Sequence, residues 1–330
     1  RFMRHFNLIT YTELSDSSIK AIFLKKVTHF LNRYTDAVKD NIPTMVNCSI
    51  SLYKEIKATL LPTPKNSHYL FNLRDMAKAL QGVCSSMPKY INTKIDFLRL
   101  WIHEMTRAFG DRLICDEDRK WLKDLFDTNV FNEFTVEKEE LYNVEKLIFC
   151  DFIGGSDKPY IQVTNLKQFI AKIEENLTIY NEESKGKPMR LVMFLDACDH
   201  VARICRVIRQ TQGHALLLGV GGSGRQSLAR LSSFINGFDC FQIEVNKGYT
   251  MTDFKNNLKS CLMESGLKEK QMCFLICDTQ LFSDQILEDL NNCLNSGDVP
   301  EIYKIEDMDE IKSACRSDCS KKGLPETPTN

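Results

Sequence analysis

Along the first part of the chain, apolar residues recur with the spacing of helices. In "SSIKAIFLKKVTHFLNRY" (17–34), Ile19, Ile22, Phe23, Val27, Phe30 and Leu31 fall on one stripe at i, i+3 and i+4 intervals. Ser15 or Asp16 can cap the start of that helix. A second helix is predicted over about 43–60, ended by the two prolines of "LPTPKNS". "FNLRDMAKALQGV" (71–83) gives a third, with Gly82 placed to close it. "IDFLRLWIHEMTRAF" (95–109) and "DEDRKWLKDLF" (116–126) follow. No alternation of strand and helix occurs before residue 150, so 1–150 is expected to be a helical bundle.

Between 151 and 188 the pattern changes. "GGSDKP" and "EESKGKP" are loop-like and flank one helix at about 165–180. After Pro188 comes a long helical stretch, "RLVMFLDACDHVARICRVIRQ", and then apolar runs alternate with helices. "HALLLGV" (214–220), "CFQIEV" and "QMCFLICD" are predicted as buried strands, separated by "QSLARLSSFING", "MTDFKNNLKSCLME" and "DQILEDLNNCLNSG", with Gly237 and Gly297 as stops. That order predicts a parallel sheet covered on both faces, so 189–330 is expected to be an α/β core. The division expected is therefore 1–150, a connection at 151–188, and 189–330. The last stretch, "EIYKIEDMDEIKSACRSDCSKKGLPETPTN", is charged and reads as loop.

Composition changes this picture little. The 330 residues suffice for about two domains, with 43% hydrophobic and 26% charged residues. A net charge of −1 supplies no global field toward nucleic acid or an anionic membrane. No apolar run approaches the roughly 20 residues of a membrane span, and "RFMRHFNLITY" has no signal-peptide cleavage site. The missing initiator methionine is what a segment of a longer chain would show. Thirteen cysteines form no CxxC pair and several, including Cys205, Cys240, Cys273 and Cys277, sit in apolar runs. Buried reduced thiols in a reducing, cytosolic compartment are expected.

Candidate chemistry concentrates in "LLLGVGGSGRQSLARL" (216–231). The glycines parse in two ways. As GxGxxG (Gly219, Gly221, Gly224) they fit a dinucleotide fingerprint, with Glu244 able to hold a ribose hydroxyl. As GxxxxG followed by a cation (Gly219, Val220, Gly221, Gly222, Ser223, Gly224, Arg225) they fit a phosphate loop. Either use needs glycine, because backbone amides must approach phosphate without a Cβ in the way. Asp278 at the end of the third predicted strand favours the phosphate loop, since a carboxylate there can hold magnesium. A turn serving structure alone remains the third reading.

Three departures weaken the chemistry. Arg225 stands where such loops carry lysine, and its planar fork has a different reach. Gln226 occupies the magnesium-coordinating hydroxyl position, and Ser227 comes one residue late, turned by about 100° on a helix. Thr279 follows Asp278 where hydrolysing relatives place a glutamate, and loss of a positioned base typically lowers rates by about 10²–10⁴. Other groups read as bland. "HEMTR" (103–107) lacks the second histidine of a zinc helix, so His103 is expected to be packed or at the surface. Arg203, Arg206 and Arg209 form a solvated or inter-module stripe in preference to a nucleic-acid one. His200 is a weaker candidate for an adenine pocket.

"HALLLGVGGSGRQSLARL", "DTQLFSDQILEDLNNCLNSGDVPEIY", "LLPTPKNSHYLFNLRDMAKALQGV" and "WIHEMTRAFGDRLICDEDRKWL" together closely resemble the motor region of dynein heavy chains. The GGSGRQSL form of the loop resembles the axonemal (ciliary) class. The resemblance implies AAA+ P-loop architecture: an α/β core plus a helical lid, in a ring of six modules. It implies that 1–150 is mostly the lid of the third module and that 189–330 begins the fourth module's core. It carries Gly219, Gly224, Arg225 and Ser227 over as phosphate-loop positions and Asp278 as the Walker B aspartate. Arg74 matches the lid's sensor arginine for the third module's nucleotide, although locally an ordinary lid salt bridge fits equally. Arg1 falls near an arginine-finger position.

The family orders its strands 5-1-4-3-2, and no apolar strand follows Pro300. A sheet interrupted at its centre, or strands paired out of order, is therefore expected, with exposed edges. The implied function is that of a segment of an ATP-dependent, minus-end-directed microtubule motor of the ciliary axoneme. The implied cofactor is ATP or ADP, with or without Mg2+. Its implied partners are the rest of the ring, dynein intermediate and light chains, and microtubules, and neither nucleic acid nor membrane. A non-catalytic interaction segment with a vestigial loop, and an independent P-loop or dinucleotide enzyme, are the competing classes.

Overall fold

The computed structural model describes residues 2–142, 144, 146–155, 157–183, 188–325 and 327. The chain separates into two compact units, Arg1–Asn165 and Leu166–Asn330, so that 151–188 is shared between them. Among the described residues no helix is long and apolar enough to cross a membrane.

The first unit is built from five long helices: α1 (Asp16–Phe30), α2 (Ile42–Thr59), α3 (Leu73–Cys84), α4 (Lys94–Met105) and α5 (Asp116–Phe134). Helix α1 begins where expected, with the Ser15 hydroxyl accepting from the Ser18 N–H at 3.2 Å. Its inward face is narrower than the sequence pattern suggests. Ile19, Phe23, Val27 and Leu31 are buried at i+4 steps, while Ile22 and Phe30 flank that line and are exposed. Helix α3 opens on a capping box in "NLRD": the Asn72 side chain accepts from the Arg74 N–H at 2.8 Å, and Asp75 accepts from the Asn72 N–H at 2.8 Å. Helix α5 runs two turns beyond its predicted end. Trp101 on α4 lies at the centre of this core and donates its indole N–H to Ser49 on α2 at 2.9 Å, so the largest buried side chain has no unpaired polar atom.

Gly82 does not end α3, as the sequence suggested; Ser85 does. Gly82 is buried inside the helix because α4 crosses there. A Cβ at Gly82 would lie 1.5 Å from Glu104 Oε2 and 2.3 Å from Glu104 Cδ. Glu104 is fully buried, and Tyr160 donates its hydroxyl to Glu104 Oε1 at 2.6 Å. Tyr160 precedes the short strand β2 (Ile161–Gln162), which pairs antiparallel with β1 (Phe149–Cys150). The buried carboxyl thus ties this hairpin-like pair to α4. It fits only because residue 82 has no side chain.

The second unit contains α6 (Leu166–Glu183), α7 (Leu195–Arg209), α8 (Arg225–Asn236), β3 (Asp239–Gln242), α9 (Met251–Leu267), β4 (Met272–Leu275), α10 (Asp284–Ser296) and α11 (Ile305–Lys321). Helices α7 and α8 pack against each other, with Val201 and Cys205 of α7 meeting Ser232 and Asn236 of α8. Ser232 donates to the Val201 carbonyl, and Asn236 donates to the Cys205 carbonyl at 3.2 Å. Gly237 and Gly297, at φ 81° and 73°, close α8 and α10 as predicted.

Strands β3 and β4 pair in parallel, Asp239 opposite Met272 through Gln242 opposite Leu275. Phe241 and Phe274 stack on one face, 5.9 Å apart, above a core of Ile243, Phe254, Leu258 and Ile286. This is the only parallel sheet among the described residues. The expected strand 214–220 is not formed: it joins no ladder, and Leu216, Leu218 and Val220 are 83%, 72% and 82% exposed. In the family order β3 and β4 are neighbours, whereas 214–220 lies beyond an intervening strand. The sheet is therefore not interrupted at its centre and not paired out of order: it is a single pair of strands in family order, and the expected first strand does not form. Neither of its edges pairs with a further strand among the described residues, and Cys240, expected to be buried, is exposed.

The last stretch is not a loop. Residues 305–321 form α11, whose start is fixed by Asp307: it accepts from the Lys304 N–H and from Lys259 Nζ on α9, each at 2.8 Å. All thirteen cysteines are free.

Replacing Gly82 by alanine sets two effects against each other. Helix propensity favours alanine by about 1 kcal/mol. Displacing the buried Glu104 carboxyl from Tyr160 costs on the order of 2–3 kcal/mol, so Gly82→Ala is expected to lower the unfolding free energy measured by urea denaturation. In a Glu104→Ala background the same change should become neutral or stabilising, and a penalty that persists there would show that Glu104 is not the obstacle.

Candidate phosphate-binding site

The loop from Gly219 to Gly224 leads into α8 through an exposed turn. Gly222 and Gly224 take φ values of 80° and 78°, the left-handed region in which only glycine is unstrained. A Cβ built at Gly221, Gly222 or Gly224 meets nothing within 4 Å, so the turn is open around these three glycines. At Gly219 the nearest atoms are the Ser223 hydroxyl at 3.4 Å and Arg225 Cδ at 3.5 Å. Val220 and Ser223 are exposed, and the Ser223 N–H reaches the Val220 carbonyl at 3.4 Å.

Helix α8 starts at Arg225, with Gly224 as an N-cap that offers no side-chain acceptor. Its first intrahelical bond runs from the Leu228 N–H to the Gly224 carbonyl at 2.9 Å. The N–H groups of Arg225, Gln226 and Ser227 therefore precede the ladder and present the positive end of α8 to the turn. A phosphate group fits this cradle on both counts, open space and unpaired donors.

The side chains are less favourable. Arg225 is folded back so that Nη1 donates to the Leu217 carbonyl at 3.4 Å, and its stem runs beside Gly219. Gln226 is exposed, and Ser227 is half-buried as the third residue of the helix.

Asp278 begins a short turn after β4 and is exposed, as is Thr279. Among the described residues no hydrogen bond or ion pair joins the Asp278 side chain to the loop. The residue that fixes this turn is Gln280, which the sequence reading did not single out. It is buried, donates to the Ile243 carbonyl beyond β3 at 2.5 Å and accepts from the Cys277 N–H at 2.7 Å. A polar residue two places after the strand-end aspartate was the available signal.

Arg74 lies in the first unit, exposed at the second position of α3. The ion pair at this helix start is made by its neighbour, Asp75 with Arg112 Nη2 at 2.5 Å, and no ion pair of Arg74 occurs among the described residues. Arg1 lies outside the described residues. His103 is packed, its Nδ1 at 3.0 Å from the Leu147 carbonyl. Arg203 pairs with Asp199 on its own helix. Glu244 and His200 are exposed.

Residues 189–330 match the family described as P-loop containing dynein motor region D4, and residues 45–142 match the AAA+ lid domain. The chain belongs to the dynein heavy chain family. It is 39% identical to dynein axonemal heavy chain 1 of Mus musculus over 344 residues, covering 100% of this chain and 8% of that protein. It is 38% identical to the Homo sapiens protein of the same name over 344 residues, with the same coverage. Identity to dynein axonemal heavy chain 6 of Homo sapiens is 38% over 331 residues, covering 99% of this chain and 8% of that protein. The chain thus spans about 8% of the length of the relatives it matches. A family described as P-loop containing over 189–330 favours the phosphate-loop parse of the four glycines over the dinucleotide one. The AAA+ lid and the P-loop core are the fold class the sequence implied.

The loop geometry separates two glycines. Gly224→Ala places a Cβ at φ 78° with no steric clash, a conformational cost of about 1–2 kcal/mol. Gly221→Ala carries no such penalty, because its φ is not in that region and its surroundings are open. Thermal unfolding should show a lower midpoint for the first variant and an unchanged one for the second, and equal midpoints would refute the strain.

Proposed function

We propose that this chain is the part of an axonemal dynein heavy chain that joins two AAA+ modules of the motor ring. On this reading, 1–150 supplies mostly the lid of the third module, 151–188 the connection, and 189–330 the start of the fourth module's core. The match of 189–330 to dynein motor region D4 supports the register. The parent chain would be an ATP-dependent, minus-end-directed microtubule motor working in the axoneme of cilia, with intermediate and light chains as partners.

Within it, the loop at 219–227 holds ATP or ADP without cleaving it. The observation that carries this is the open cradle of Gly221, Gly222 and Gly224 at the uncapped start of α8. Backbone donors bind phosphate whatever side chains surround them, whereas hydrolysis needs a lysine, a hydroxyl and a base that Arg225, Gln226 and Thr279 replace. Arg74, unengaged by Asp75, is free to serve the nucleotide of the preceding module as its sensor. A site that holds nucleotide statically suits regulation of the ring better than turnover.

Calorimetry of the chain with ATP, ADP and NADH tests the reading. Micromolar binding of the adenine nucleotides, none of NADH and no phosphate release are expected. Silence toward all three would favour a vestigial loop in an interaction segment. Phosphate release by the unaltered chain would overturn the proposed loss of chemistry. Thr279→Glu is expected to change turnover by less than about tenfold, because the other two groups are still missing.

A further inference from the structure

The β3–β4 pair carries a second feature that the nucleotide site does not use. Cys240 and Cys273 occupy the same register position on neighbouring parallel strands. Adjacent strands lie about 4.7–4.9 Å apart, within the Cα separation of about 4.4–6.8 Å that a disulfide tolerates. Residues opposite each other in a sheet project to the same face, so both thiols point the same way. The register therefore sets the two thiols side by side on one face of the strand pair, the face toward which Gln242 meets Arg230 of α8. Cys240 is exposed and Cys273 half-buried, because this edge of the sheet is uncovered.

We propose that Cys240 and Cys273 form a redox-active dithiol that hydrogen peroxide converts to a cross-strand disulfide. The thiolate of Cys273 attacks one peroxide oxygen, the O–O bond breaks, and hydroxide leaves to become water. The resulting Cys273 sulfenic acid is then attacked by the Cys240 sulfur. The S–S bond forms, the S–O bond breaks, and the departing hydroxide takes the Cys240 proton. Two thiols lose two electrons, and one peroxide becomes two waters.

The surroundings favour this sequence. The neighbouring Cys240 side chain holds the Cys273 thiol below its ordinary value, down to about 6, against partial burial. Cys240 keeps its proton correspondingly longer, chiefly through the adjacent Cys273 side chain and partial burial, although the Arg230 guanidinium opposes this. The pair therefore offers one thiolate and one resolving thiol near neutral pH. Elsewhere burial acts in the opposite direction, pushing Cys48 and Cys150 up to about 12 and Cys84, Cys198 and Cys261 up to about 11. Those thiols stay protonated and slow to react.

The test is peptide mapping of the 330-residue chain after brief treatment with hydrogen peroxide and alkylation of the remaining thiols. A Cys240–Cys273 cross-link at least about tenfold more abundant than any other pair, reversed by dithiothreitol and absent in urea, is expected. Cys240→Ser should leave Cys273 as a sulfenic acid trapped by dimedone, whereas Cys273→Ser should abolish both products. Circular dichroism of each cysteine variant separates loss of fold from loss of chemistry, and in the unaltered chain cross-linking should rise with pH between about 5 and 7, as the Cys273 thiolate forms. A cross-link equally abundant in urea, or oxidation of other cysteines with Cys240 and Cys273 left reduced, would overturn the proposal. Neither outcome bears on nucleotide binding.

Discussion

Backbone N–H and C=O groups of a parallel strand need partners on both sides, and this requirement organises the Leu166–Asn330 unit. Strands β3 and β4 satisfy it once, toward each other, because α9 forms a βαβ crossover that places them side by side. The leucine run before the glycine loop has the composition of a buried strand, yet it stays out of any ladder. Composition supplies the apolar surface; it cannot supply the neighbour. In the absence of a ladder, Leu216 and Leu218 face solvent, and the loop after them hangs from α8 alone. What anchors the loop is the seam between α7 and α8, where Ser232 and Asn236 bond across.

The first unit depends on burial of a different kind. Its core closes around Trp101 and around a carboxyl group, Glu104, that would be expensive to desolvate alone. Tyr160 satisfies one oxygen, and the missing side chain at Gly82 makes room for the other. Three residues distant in sequence are thereby one packing unit that joins α3, α4 and β2. The lid-like unit consequently carries Arg74 on a well-capped helix start while Asp75 is occupied elsewhere.

Helix identity was legible in the sequence wherever apolar spacing and caps agreed: Ser15, the glycine stops at 237 and 297, and the prolines after α2. Boundaries were less so, since α5 continues through residues whose pattern is mixed. Gly82 was misread because a glycine near a helix end resembles a stop, and nothing local reveals a carboxyl arriving from residue 104. The segment 305–321 was misread because its charges suggested a loop; its helix is set by Asp307, whose partner Lys259 is 48 residues away. The glycine turn and the helix after it were legible because together they form a contiguous backbone device. Gln280 was not, because its partners at 243 and 277 become neighbours only after β3 and β4 pair.

Binding and chemistry at the loop also differ in what they require of the sheet. The glycine turn proposed to hold phosphate is local: its dihedrals and the start of α8 suffice to form it. The separation between loop and Asp278 is not local. In the family strand order one strand lies between them, which sets two strand spacings, about 10 Å. That strand is not among the described residues, so the two are positioned by separate supports, α8 for the loop and Gln280 for the aspartate turn. Nucleotide affinity in this chain should therefore follow the cradle's backbone geometry and depend little on Asp278, whereas any metal-dependent component would require the loop and the aspartate to be held at a fixed distance.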